Sequence, residues 1–388
     1  MILLTAAILA PEKPLILAHY MPWYAAKPVS KEWGWHWTMG KLNPDKGERA
    51  SHYRPLMGLY DSGDPDAVEC HVLLMKFAGI DGVIVDWYGN LDHYDYLANH
   101  RNTQLMFRTA QRAGLKYCVV YEDQTVPRLV EGGKFGKDDA VAQGKKLMEW
   151  VDRNWFRSPS YLKIGGRPVF LVFGPQYYKS PDWEQMFAGL SPKPAFFTLH
   201  HRREPALGAY DWPLPRGGDE GNAKERAGFF ERAKSWPAFI PVAYPRFHDY
   251  YKEAGVHDSW GRLEDRGGRT FEWTLKEALE SKAAVVQLAT WNDWGEGTMI
   301  EPSVEFGYRD LETIQRLRRR YRAKAVPYTT SDLRLPMRLY KLRKAYARNR
   351  ALQSQLRKVS NALFAGKLED AARSLATAER RLESSNTP

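Results

Sequence analysis

The chain has 388 residues, 44% of them hydrophobic, a formal net charge of +11 and two cysteines. That length accommodates one large α/β barrel with an appendage, no apolar run approaches the roughly 18 residues of a membrane span, and Cys70 and Cys118 offer neither zinc spacing nor a disulfide framework. The charge is uneven, with 20 Lys and Arg against 7 Asp and Glu from Tyr308 onward, so the body before that point is nearly neutral and nucleic acid is disfavoured as the main partner.

Residues 1–12 are apolar, lack a basic n-region and are shorter than a usual signal peptide. They read as a trimmed export signal or a disordered start, and favour an extracytoplasmic over a cytoplasmic location. LILAHY at 15–20 reads as the first buried strand, and its exit carries His19, Tyr20, Trp23 and Tyr24. A long irregular stretch then holds Trp33, Trp35, His36 and Trp37, a density of rings that favours a substrate-facing wall over a buried plug. Residues 64–79 carry Asp64 as N-cap, Pro65 at the first helical position and Gly79 as a stop. The next strand, IDGVIVDWYG, exits in Asp86, Trp87 and Tyr88. A helix over 100–114 follows, and LKYCVVYED gives a third strand ending at Glu122 and Asp123.

The alternation continues with a helix near 138–154, strands at 168–174, 195–201 and 207–212, a helix over 219–234, a strand at 238–245 and a helix near 270–281. An eighth strand at 284–289 completes the series. Eight strands alternating with helices predict a (β/α)8 TIM barrel over 13–325, with polar residues gathered at the strands' C-terminal ends. Residues 326–388 read as a linker and a basic helical C-terminal extension. Its amphipathic pattern predicts a cap on the barrel, with weak contact to an anionic surface as the alternative.

The densest chemistry lies in WNDWGEGTMIEP at 291–302. Polar turns also contain Asn, Asp and Gly, but they rarely need two indoles. Asp293 and Glu296, three apart among Trp291 and Trp294, suit acid and base work on a sugar. Asn292, Glu301, Asp86, Glu122, His19, Tyr20, Trp23, Trp37, Trp87 and Trp291 are the candidate substrate contacts. No Gly-rich phosphate cradle, nucleophile elbow or metal-ligand spacing occurs, so no cofactor and no metal are expected.

The same motif resembles the one that closes the barrel in glycoside hydrolase families 71 and 99. HYMPWY with WGWHW, AGIDGVIVDWYG, and KIGGRPVFLVFG add further matches in the same order across roughly 15–325. The resemblance implies a barrel hydrolase of α-linked glucan or mannan, in which Glu296 matches the general acid and Asp293 its partner carboxylate. In family 99 that partner is normally Glu and assists the sugar 2-hydroxyl, with retention. In family 71 it is Asp and activates water, with inversion, so Asp293 tilts the expectation that way. A non-hydrolytic carbohydrate-binding or glycan-biosynthesis protein on the same barrel is the alternative.

Overall fold

The computed structural model describes residues 14–321 and 326–385, with side chains as far as Arg380. The expected export segment at 1–12 lies outside the described residues.

The parallel strands are β1 (Leu15–Tyr20), β2 (Gly82–Trp87), β3 (Lys116–Tyr121), β4 (Arg167–Val172), β5 (Ala195–Leu199), β6 (Gly208–Tyr210), β7 (Ala238–Ile240), β8 (Val242–Ala243) and β9 (Val285–Leu288). β7 pairs with β6 on one side, β8 pairs with β9 on the other, and β9 pairs with β1. Pro241 separates β7 from β8, because a residue without an N–H cannot continue both ladders. Its carbonyl still accepts from Gln287 N at 3.0 Å. The two short pieces therefore act as one seventh stave, and the eight-membered barrel closes. Val83, Ile84 and Val85 are fully buried, as expected where one face meets the barrel interior and the other the helix layer.

The helix boundaries follow their punctuation. Helix α1 (Pro65–Ala78) opens on Asp64, whose carboxylate accepts from Asp66 N at 3.0 Å, and stops at Gly79 with φ +85°. Helix α2 (Tyr96–Ala113) begins four residues before the predicted start, because no side chain caps it and Tyr96 and Leu97 read as loop. Of the later helices, Ala140–Val151, Gly218–Ala233 and Arg269–Glu280 fall where the periodicity places them.

Three helices, α3 (Leu335–Ala345), α4 (Arg350–Phe364) and α5 (Leu368–Ser385), follow the barrel. Arg343 on α3 bonds Asp66 Oδ1 at 2.8 Å and Glu69 Oε1 at 2.9 Å, and Lys344 reaches Asp64 Oδ2 at 2.7 Å. Arg112 on α2 donates to Asn361 Oδ1 at 2.6 Å. Part of the tail's basic charge thus faces the acidic start of α1 rather than solvent.

Candidate active site

The loop after β9 is built around a clasp to β1. Trp291 N donates to His19 O at 2.7 Å, and Asn292 exchanges two hydrogen bonds with the Met21 backbone at 2.8 and 2.9 Å. Tyr24 Oη donates to Asn292 O at 2.8 Å and accepts from Trp294 N at 3.0 Å. Within this frame Asp293 N donates to Thr290 Oγ1 at 2.7 Å, and Asp293 Oδ1 accepts from Glu296 N at 2.9 Å. Gly297, at φ +67°, turns the chain back so closely that a Cβ would meet His248 O at 2.6 Å. Glu296 is left half-buried, with Oε2 free of any hydrogen bond.

His19, Asp86, Glu122 and Asp293 come from four different strand exits and are all buried. His19 Nε2 lies 3.9 Å from Asp86 Oδ2, while its Nδ1 is 3.3 Å from Gln287 Oε1. Asp86 and Glu122 are close enough for each carboxyl to influence the other's proton affinity. Burial pushes Asp86 up to about 8 and, with Asp86 beside it, raises Glu122 well above the carboxylate range. Burial also raises Asp293, to about 6, against bonds from the Glu296 and Gly295 amides and the nearby His19 that lower it. Glu296 rises well above its ordinary value through burial first and the Asp293 and Asp249 carboxylates next. Burial lowers His19 to about 4, so the ring is neutral near pH 7. The mouth therefore holds a carboxyl pair with separated proton affinities: Asp293 ionises near pH 6 and Glu296 keeps its proton.

Trp23 stands on one wall, stacked on His36 at 4.1 Å and 7°, with its indole N–H unpaired. With Trp35, Tyr88 and Glu122 it lines a cavity of about 1300 Å³. Several expected contacts lie elsewhere. Trp37 is fully buried on Tyr24 and donates to Tyr60 O at 2.8 Å, so it is the plug beneath the wall. Trp87 packs on His100 and Trp155 in the helix layer, and Tyr20 turns outward to His71 Nδ1 at 3.2 Å. Both follow inward residues, Asp86 and His19, and successive strand side chains point to opposite faces. Glu301 accepts from Tyr60 Oη at 2.8 Å and Trp294 Nε1 at 3.2 Å and meets His71 Nε2 at 3.2 Å. With Trp291 and Asn292, both fully buried, it supports the clasp rather than facing substrate.

Sequence reasoning assigned no role to three neighbours of the pair. Tyr251 is raised well above its ordinary value, by burial first and then by the Glu296 and Asp293 carboxylates. Asp249 sits between His248 and Tyr250, whose amides donate to Glu296 O at 2.8 Å and Gly295 O at 2.9 Å. Arg246, almost fully buried, donates to Met299 O at 2.9 Å and Asp310 Oδ2 at 2.5 Å, tying the closing-strand loop to the following helix. The signal available was the aromatic and charged density of AYPRFHDYY. Among the described residues no group of three or more His, Cys, Asp or Glu is placed to hold a metal.

No protein-family model matches the chain. A glycoprotein endo-α-1,2-mannosidase-like protein of Danio rerio is 22% identical over 294 residues, 68% of this chain and 62% of the relative. The glycoprotein endo-α-1,2-mannosidase of Rattus norvegicus is 22% identical over 336 residues, 76% of this chain and 69% of that protein. The chain thus spans about two thirds of the curated relatives it matches. Among solved structures, a GH99 endo-α-mannosidase from Bacteroides thetaiotaomicron superposes with a TM-score of 0.61 at 20% identity, covering 80% of this chain and 98% of that one. The fold is that of a family 99-like barrel. In this chain the closing-strand loop that carries Asp293 and Glu296 stands at the barrel mouth, where such folds place their chemistry.

Proposed function

We propose that the protein is a glycoside hydrolase acting on α-mannosidic linkages of a glycan, with Glu296 as general acid and Asp293 as base. The observation that carries this reading is the pair itself: two carboxyl groups, one holding its proton and one ionising near pH 6, seated on one rigid loop. The mannose assignment draws on the printed activity of the relatives and solved neighbours.

In the proposed reaction the sugar lies across the mouth, with Trp23 and His36 offering a flat aromatic face. Asp86 and Glu122, neighbouring carboxyl groups at the strand exits, hydrogen-bond sugar hydroxyls. Glu296 protonates the departing glycosidic oxygen as the bond to the anomeric carbon lengthens. Asp293 takes a proton from the attacking water, which ends bonded to the anomeric carbon with inversion. Glu296→Gln keeps the shape and removes the proton, so its kcat on unactivated α-mannan falls about 10²-fold to 10⁴-fold. Proton NMR of the newborn reducing end tests the base: an inverted anomer fits water activation, and a retained one transfers Asp293 to assistance of the sugar 2-hydroxyl. Undiminished cleavage by Glu296→Gln overturns the assignment of the acid. Glycan binding with no turnover would favour a carbohydrate-binding role on the same barrel.

A further inference from the structure

A second aromatic surface leads away from Glu296, and none of its rings lines the cavity beside Trp23. It is carried by the chain between two short paired strands, Phe247–His248 and Arg262–Leu263. The base of this arm is locked to the catalytic loop by the His248 and Tyr250 amides. From Tyr251, beside Glu296, the rings step to His257 at 4.4 Å and 31°, and from His257 to Trp260 at 4.9 Å and 53°. Trp260 is 48% exposed, and Val256 on the same arm is 40% exposed.

The backbone that carries this indole is anchored. Trp260 N donates to Asp249 Oδ2 at 2.7 Å. His52 Nε2 lies 2.9 Å from Asp249 O, and Lys41 Nζ donates to Gly255 O at 2.7 Å. The arm's backbone is thus braced from both the closing-strand loop and the first long loop, which lowers the ordering cost of presenting the ring. A ring that is exposed, carried on an anchored arm and linked ring by ring to Tyr251 has the properties of a sugar-stacking platform.

We infer that His257 and Trp260, approached through Tyr251, form a glycan subsite on the Glu296 side of the scissile bond, taking sugar residues of the leaving group. The orientation rests on the glycosidase reading, since the leaving group departs toward its proton donor. The occupant is a neutral pyranose chain: its apolar C–H face lies on the indole, and its glycosidic oxygen reaches Glu296.

The test is calorimetric titration of the non-cleaving Glu296→Gln chain, with and without Trp260→Ala, using linear α-mannotetraose, an α-glucotetraose and methyl α-mannoside. Trp260 is exposed, so its removal leaves the core intact. The expected result is a tetrasaccharide Kd weakened about tenfold by Trp260→Ala, with the methyl mannoside affected at least five times less. Equal weakening of long and short ligands, no weakening, or no tetrasaccharide binding by Glu296→Gln each overturns the inference. Wild-type protein that binds a tetrasaccharide through Trp260 without cleaving any of the panel overturns the glycosidase reading and leaves the subsite standing.

Discussion

At the scale of single residues, burial is the main influence on the carboxyl groups of the proposed site. In the proposed role Asp293, raised to about 6 chiefly by burial, acts as a base only when ionised. Its folded value lies above the ordinary one, so the active form is lost as pH falls through 6, earlier than for an exposed aspartate. The expected profile of kcat/KM therefore drops about tenfold per pH unit below pH 6, while loss of the Glu296 proton limits activity only on the alkaline side. Initial rates on one α-mannan between pH 4.5 and 8.5 check this, and an acid limb near pH 4 would remove Asp293 from the role. The carboxylates were legible in the sequence because each closes an apolar run, and apolar runs that stop at acids mark a barrel mouth. Their proton affinities were not, because these depend on how completely four separate loops exclude water from one place.

At the scale of elements, parity decided what the sequence reading missed. A strand presents alternate residues to opposite sides, so His19 and Asp86 enter the barrel while Tyr20 and Trp87 enter the helix layer. A run of conspicuous side chains at a strand exit does not say which of two neighbours faces in. The same uncertainty split the aromatic stretch after β1, where Trp35 and His36 line the cavity and Trp37 is fully buried. Trp87→Ala is accordingly a packing change: it costs about 3–5 kcal/mol and lowers the thermal midpoint. The KM of the protein that remains folded stays near the wild-type value. A raised KM with an unaltered midpoint would return Trp87 to the substrate.

At the scale of the whole molecule, the eight-stave barrel was readable because strand and helix periods alternate so regularly, although the Pro241 break in the seventh stave was not. The helices after the barrel dock through charge as well as apolar packing. Arg343 faces Asp66 and Glu69 at 9% exposure, and Glu69 keeps bonds from Arg112 and Ser360 when it is lost. Arg343→Ala is therefore expected to cost about 2–3 kcal/mol in urea unfolding, with kcat unaffected. A cost below about 0.5 kcal/mol, the scatter of ordinary surface changes, would show that the contact is only a surface pairing.

The clasp between Trp291, Asn292 and the first strand has a consequence for how the protein is made. During synthesis the ribosome delivers His19, Met21 and Tyr24 early and Asp293 and Glu296 late, and much of the late segment's seat lies on the early one. A nascent chain stalled before residue 290 lacks both Asp293 and Glu296. On the proposed reading, turnover doubles as a report that the first and last staves have met.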